Sequence, residues 1–170
     1  MYIQDVHERK VIPTMPNWVM NELICSFKEQ EQIESFKNKI NLKGLFHSFI
    51  PAPKTEDWNS WCSLNWGIDS EARNLTVKYD LLTITFSFDT PHVCPEQFVL
   101  SLSQLYPNVK FNMITGSMEN NYHFEFACIN GWLILTKDYE TFQEAVEDGK
   151  WGGIEEWDSL FEESEEVTEA

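Results

Sequence analysis

Residues 82–88 alternate strictly between apolar and polar side chains, and this pattern is the strongest constraint on the fold. The apolar positions are Leu82, Ile84, Phe86 and Phe88, and the polar positions between them are Thr83, Thr85 and Ser87. Successive side chains of a strand point to opposite faces of its sheet. This period is typical of an antiparallel strand with one face against a core and the other against solvent. The chain therefore contains a sheet with one buried face.

Further segments supply the rest of the sheet and its cover. Segments with the composition of strands are Trp18–Phe27, Leu45–Ile50, Leu75–Asp80, Val109–Ile114, Tyr122–Ile129 and Trp132–Thr136. Two segments, Glu29–Ile40 and Pro95–Tyr106, have apolar residues at helical spacing and are predicted to be helices. A short helical turn and a loop are expected within residues 54–75.

The order of these segments predicts an α+β domain with a βαββαβ arrangement, an antiparallel sheet and two helices on one face. Asn130-Gly131 between two apolar runs predicts an additional C-terminal hairpin. We divide the chain into an N-terminal arm (1–14), the sheet domain (15–137) and an acidic helical tail (138–170).

Four short motifs resemble those of the YubB ferredoxin-like family, which is found in phage and plasmid proteins. Residues 15–21, Met-Pro-Asn-Trp-Val-Met-Asn, are similar to its opening M-P-N-W-x-x-N. The other three motifs follow in the family's order: F-x-P-x-P at residues 49–53, N-W-G at 65–67, and a strand, proline-led helix and L-x-x-x-Y-P ending across 88–107.

The resemblance spans residues 15–128 and implies a ferredoxin-like fold and a mobile-element setting. The name refers to the fold and implies no iron–sulfur cluster. The chain departs from the family after Gly67, where Ile68-Asp69 stand in place of T-K-W. The family's biochemistry is unknown, and it supplies no catalytic residues that can be transferred to this chain.

Charge is concentrated at the C-terminus. The formal net charge is −16, of which residues 138–170 contribute −12, with thirteen Asp and Glu against Lys150 alone. Such a segment repels nucleic acid and membrane surfaces and attracts basic partners. No apolar run is long enough for a membrane span or a signal peptide, and the four cysteines form no C-x-x-C pair. We therefore expect a cytoplasmic protein, inside the host cell, with buried free thiols.

Two helical patterns occur in the tail. Thr141-Phe142-Gln143-Glu144 matches a capping box that would open a short helix. Ile154, Trp157, Leu160 and Phe161 then recur at the spacing of an amphipathic helix whose other positions are acidic. The residues expected to contact a partner are Glu144, Glu147, Asp148, Glu155, Glu156, Trp157, Asp158, Phe161, Glu162 and Glu163, with Trp157 and Phe161 as apolar anchors.

The tail has two interpretations that do not exclude each other. It can dock on the sheet with its acids in solvent, or it can bind a basic protein surface in place of nucleic acid. The second predicts an acidic, non-enzymatic protein of a phage or plasmid that inhibits a host nucleic-acid-binding or defence factor, such as a restriction or CRISPR-type nuclease, by protein–protein contact. In that case the partner is a protein, and the chain binds neither nucleic acid directly nor a membrane.

Other chemistry has weaker support. His92 and Cys94 stand close together but lack a second pair at metal spacing, and no phosphate-binding or nucleophile motif occurs, so no metal, cofactor or catalytic residue is expected. Trp58, Trp61 and Trp66 are expected to pack rather than to stack on a ligand. Two alternatives stay open. One is a small enzyme or ligand-binding domain that uses the sheet face near His92 and His123, and the other is a structural module with a solubilising tail.

Overall fold

The structure is a computed structural model that describes residues 17–42, 44–54, 57–117 and 122–140, together with positions 144 and 147. The strands are β1 (Trp18–Ser26), β2 (Arg73–Tyr79), β3 (Thr83–Pro91), β4 (Lys110–Ser117), β5 (Tyr122–Ile129) and β6 (Trp132–Asp138). The helices are α1 (Gln30–Lys37), α2 (Leu45–Phe49), α3 (Trp58–Trp66) and α4 (Glu96–Leu105).

The described strands form an antiparallel sheet in the order β2-β3-β1-β4-β5-β6. β1 lies at its centre, paired with β3 along one edge and with β4 along the other. The hairpin β5–β6 extends the sheet beyond β4. The α+β class and the antiparallel sheet are confirmed, and the predicted strands and helices coincide with observed ones except at residues 45–50.

The predicted strand at Leu45–Ile50 is wrong, because residues 45–49 form the helix α2. Leu45, Phe46 and Phe49 are all buried, and Leu45 and Phe46 would point to opposite sides of a strand. The carboxylate of Glu71 accepts hydrogen bonds from the backbone N–H groups of Phe46 at 2.6 Å and His47 at 3.0 Å. Those groups belong to the first turn of a helix, where N–H groups have no partner within the helix.

The core lies between the helices and one face of the sheet. The alternating residues of β1 and β3 are buried on this face, and α1 and α4 supply Ile33, Phe36, Phe98, Val99 and Leu102 against them. The ring of Phe36 is 4.6 Å from that of Phe49 and 4.8 Å from that of Tyr106. We call the opposite face, which α1 and α4 do not contact, the second face.

The predicted hairpin is confirmed. Asn130 and Gly131 connect β5 to β6 with φ angles of 51° and 77°. Positive φ at both central residues is the geometry of the type I′ turn, which matches the twist of the two strands. The backbone N–H of Gly131 donates to the Ser103 hydroxyl at 2.8 Å, which attaches the turn to α4.

A buried polar network connects the three central strands at one end of the sheet. The Asn21 amide nitrogen on β1 donates to the hydroxyl of Thr90 on β3 at 2.9 Å. The hydroxyl of Thr115 on β4 donates to the Asn21 amide oxygen at 2.9 Å. Since a shift of one residue in any of these strands would leave buried polar atoms without partners, the network fixes their register.

Replacing Asn21 by Leu should lower the free energy of unfolding by about 1–3 kcal/mol, because it leaves the buried Thr90 and Thr115 hydroxyls without their amide partner. Urea denaturation followed by circular dichroism measures this loss. The double variant Asn21→Leu with Thr115→Val is the control, and it should recover part of the loss because it removes one of the two hydroxyls that have lost the Asn21 amide. Equal stability of Asn21→Leu and the wild type would contradict the role of the network.

Candidate functional site

The last strand of the sheet presents an apolar surface. Trp132, Leu133 and Ile134 are 74%, 47% and 52% exposed, respectively. The pairing of β6 with β5 skips Ile134, since Leu133 pairs with Cys128 and the next paired residue is opposite Ala127. A bulge of this kind re-aims neighbouring side chains. Three consecutive apolar residues are therefore accessible at the start of β6, and we call them the apolar end of β6.

The acidic segment begins where β6 ends. Asp138, Glu140, Glu144 and Glu147 are all exposed, and positions 144 and 147 have helical backbone. We call these four residues the acidic end. They follow the apolar end along the chain, so the same part of the molecule carries an apolar surface and then carboxylates.

Tyr139 attaches this acidic end to the sheet. Its side chain is buried, its backbone N–H donates to the carbonyl of His123 at 3.0 Å, and its hydroxyl donates to Glu125 at 3.3 Å. The ammonium group of Lys137 lies 4.7 Å from the centre of the Tyr139 ring, within the range of a cation–π contact. The backbone hydrogen bond extends the pairing of β6 with β5 by one residue. Together these contacts set the direction in which the acidic segment leaves the sheet.

The Glu144 side chain reaches back toward β6. Its carboxylate accepts a hydrogen bond from the backbone N–H of Glu140 at 2.9 Å. Thr141, the first residue of the predicted capping box, lies outside the described residues, so the box stays a prediction.

The structure describes two of the predicted contact residues, Glu144 and Glu147, and both are exposed. The other predicted contacts lie outside the described residues, and they are Asp148, Glu155, Glu156, Trp157, Asp158, Phe161, Glu162 and Glu163. The amphipathic pattern of residues 154–161 therefore stays a prediction.

His92 and His123 are not brought together. His123 lies on β5, in the cross-strand row that runs through Gly116 and Met20 to Asp89 on β3. Three strand spacings, or about 14 Å, separate the backbone of His123 from that of Asp89. His92 follows β3 in a loop with a φ of 67°, and its side chain is exposed. The two imidazoles therefore do not form a shared site.

His123 belongs to a buried polar group on the second face. It is 4% exposed, and Glu125, in the same strand, is 2% exposed. The Asn112 amide donates to Glu125 at 2.9 Å, in addition to the Tyr139 hydroxyl. Burial lowers the pKa of His123, because it disfavours the charged imidazolium.

The described cysteines are all buried, as predicted. Burial raises the pKa of the Cys94 thiol far above its usual range, and the hydrogen bond with Thr115 offsets only part of this. Cys25 and Cys128 have raised pKa values for the same principal reason. A thiol with a raised pKa is a poor nucleophile at neutral pH, so Cys94 does not have the properties of a catalytic thiolate.

The tryptophans of α3 pack around one another. Trp66 is buried, its indole N–H donates to the carbonyl of Ile50 at 2.9 Å, and the rings of Trp58 and Trp61 meet it edge-on at 6.0 and 5.8 Å. Trp58 and Trp61 are half-buried. These contacts agree with the predicted packing role.

A polar groove of about 480 Å³ lies beside α2 and α3. Its lining includes His47, Glu71 and Trp58. Glu71 is already engaged with backbone N–H groups of α2, and the His47 Nδ1 accepts from the N–H of Ala52 at 3.2 Å. Glu71 and His47 therefore bind backbone N–H groups at the two ends of α2.

The described part of the chain contains neither a cluster of metal-ligating side chains nor a membrane-spanning helix. No group of three or more His, Cys, Asp and Glu side chains in these residues could hold a metal ion. In the same residues, no helix combines the length and the apolar composition needed to cross a membrane.

The chain matches no family model and no curated protein. Among solved structures it is similar to a protein api92 from Yersinia pseudotuberculosis, described with the family model DUF1281, at 13% sequence identity and a TM-score of 0.47. The match covers 55% of this chain and 39% of that protein, so the likeness spans well under half of the solved structure.

The lowered pKa of His123 predicts a pH-dependent stability. The unfolded chain takes up a proton near pH 6.5, while the folded chain takes it up at a lower pH. The unfolded state then binds more protons in this window, and stability should fall as the pH drops below about 6.5. Comparing urea denaturation of the wild type and His123→Asn from pH 7.5 to pH 5 measures this contribution. A stability difference between the two that does not change with pH would contradict it.

Proposed function

We propose that this chain is a binding protein of a phage or plasmid that occupies the basic, nucleic-acid-contacting surface of a host defence factor. The observation that carries the proposal is the acidic end, where exposed carboxylates begin immediately after a strand of the sheet. The sequence continues this charge to a net of −12 over residues 138–170. A basic protein groove is the surface to which such a field is complementary.

The attachment at Tyr139 supports a role in recognition beyond solubility. A solubilising tail needs no defined exit from its domain. Here the buried Tyr139 ring, its hydrogen bond to Glu125 and its backbone bond to His123 fix the first residues of the segment. Carboxylates held at a defined place lose less conformational entropy on binding than carboxylates on a free chain.

We also propose that β2-β3-β1-β4, with α1 and α4, form a ferredoxin-like unit. In that fold two βαβ units interleave, so that the first strand lies between the third and the fourth. The order of these four strands supports the assignment, while β5 and β6 add two strands that give the whole sheet a different order. The YubB-like motifs fall in the same part of the chain, residues 15–107, and they are the basis for the mobile-element setting. We propose with it a cytoplasmic location in the host.

A charge-reversal variant tests the proposed partner. Changing Glu155, Glu156, Glu162 and Glu163 to Lys should abolish capture of the partner from host lysate, and capture by the wild type should weaken steeply with salt. Exposed charges are screened beyond about 8 Å at physiological ionic strength. Added duplex DNA should also release the captured protein, because both ligands would use one basic surface.

The matched control makes the same change in net charge on the sheet domain. It reverses four exposed carboxylates of α1, its flank and α4, namely Glu29, Glu31, Glu34 and Glu96. Both variants are checked by circular dichroism before capture is measured. Capture that is lost equally in both variants, or kept in both, would refute a binding role for the tail.

We further propose that the protein acts without catalysis. His92→Ala, Cys94→Ala and His123→Ala should then each leave partner capture and biological activity largely intact. His92 and His123 are separated by several strands, and the raised pKa of Cys94 disfavours its thiolate. Loss of activity in one of these variants, with an unchanged circular dichroism spectrum and unchanged partner capture, would favour the enzyme alternative instead.

A further inference from the structure

β6 is an edge strand of the described sheet, and its residues 136–138 are exposed. Within the described sheet its hydrogen-bonded neighbour is β5, and the order of strands ends at β6. An edge strand presents backbone N–H and C=O groups that can pair with another chain. The apolar end of β6 is exposed beside this edge, without a charged residue among Trp132, Leu133 and Ile134.

The other edge of the sheet differs in its side chains. β2 carries exposed Arg73, Asn74 and Lys78, and its pairing with β3 is irregular between Arg73 and Thr76. Charged side chains and bulges protect an edge against strand addition, but β6 also has a bulge, at Ile134, and a cation, Lys137. The two edges differ in net charge, because β2 carries two exposed cations, whereas β6 carries one and leads into the acidic end. For a basic segment, β6 is therefore the more suitable edge.

The hydrogen bonds of Tyr139 identify which backbone groups of β6 point outward. Because the Tyr139 N–H donates to the His123 carbonyl, the backbone groups of Tyr139 face β5. In an antiparallel ladder the direction of these groups alternates from one residue to the next. Lys137 therefore also faces β5, whereas the N–H and C=O groups of Thr136 and Asp138 point to the free edge.

The two ends of the β6 edge differ in charge. β6 starts at the apolar end, and its last residue, Asp138, starts the acidic end. A strand added antiparallel to β6, as every neighbouring pair in this sheet is arranged, would have its N-terminal half beside the carboxylates and its C-terminal half beside Trp132. Complementarity then requires basic residues first and apolar residues afterwards.

We propose that the free edge of β6 binds an extended segment of the partner protein, basic in its N-terminal half and apolar in its C-terminal half, as an added antiparallel strand. The choice of a basic partner rests on the proposed function, whereas the edge, its outward backbone groups and its apolar end are independent of it. Backbone pairing gives affinity in this mode of recognition, and the flanking side chains give specificity.

Two synthetic peptides of seven residues, the length of β6, serve as probes. The first has Lys and Arg in its N-terminal half and alternating Val and Thr in its C-terminal half, and the second has the same residues in reverse order. Fluorescence anisotropy of labelled peptides with the full chain should show at least tenfold tighter binding of the first. Equal binding of both peptides would show charge attraction without strand pairing and would overturn the proposal.

Thr136→Pro tests the backbone contact. Proline removes the outward N–H of residue 136 without removing a bond to β5, and it is tolerated on edge strands at such positions. The variant should bind the first peptide at least tenfold more weakly. The control Thr136→Val keeps the N–H and the shape of the side chain, so its affinity should match that of the wild type. Unchanged binding by Thr136→Pro would overturn the proposal.

A measurement on the wild type keeps the test valid if the proline variant does not fold. Amide hydrogen exchange with saturating first peptide should slow at Thr136 and Asp138, which face outward, and change little at Lys137, which already faces β5. No slowing at Thr136 and Asp138 would exclude strand addition at this edge. If the free chain dimerises and Thr136→Pro abolishes the dimer, a second copy occupies the edge and the proposal is wrong.

These outcomes are separable from those of the proposed function. If β6 is not the site, Thr136→Pro still captures the partner, while reversal of Glu155, Glu156, Glu162 and Glu163 abolishes capture. If the acidic mimicry is wrong, the reversal of those four carboxylates has no effect on capture, whatever the peptides do.

Discussion

The arrangement of the whole sheet depends on β1, because its two neighbouring strands, β3 and β4, are both distant from it along the chain. Nine residues of β1 pair with β3, and seven of the same residues also pair with β4. Asn21 connects the hydroxyls of Thr90 and Thr115 across this strand. Because β4 leads directly into the hairpin of β5 and β6, the position of the candidate binding surface follows from the register of β1.

The local sequence pattern was sufficient to predict most strands of the sheet. The alternation around Phe86 and the Asn130-Gly131 turn are signals contained in a few adjacent residues, and the structure has both features. The prediction failed at Leu45–Phe49, where a distant residue decides the conformation. Glu71 caps that helix from 25 residues away along the chain, and no local pattern contains this contact.

The candidate site was predicted in part. The acidic segment can be identified by counting charges along the sequence, and the structure describes Glu144 and Glu147 as exposed. The exposure of Trp132 was not anticipated, because a run of Trp, Leu and Ile suggests a core strand. The sequence did contain one signal for this exposure. Trp132 lies in the second strand of the last predicted hairpin, and the last strand of an open sheet is an edge. Burial of an apolar residue depends on what packs over it, which one sequence does not state.

The two parts of the surface are suited to different stages of association. Exposed carboxylates act over a distance and raise the rate at which a basic partner arrives, with a strong dependence on salt. The apolar end of β6 and its outward backbone groups act only after contact, and they slow dissociation through burial and hydrogen bonding. Tyr139 lies within the acidic end, directly after Asp138, and is attached to β5 through Glu125 and His123. In the proposed mode of binding, a partner attracted by the carboxylates would reach the edge in one orientation, with its basic residues at the C-terminal end of β6.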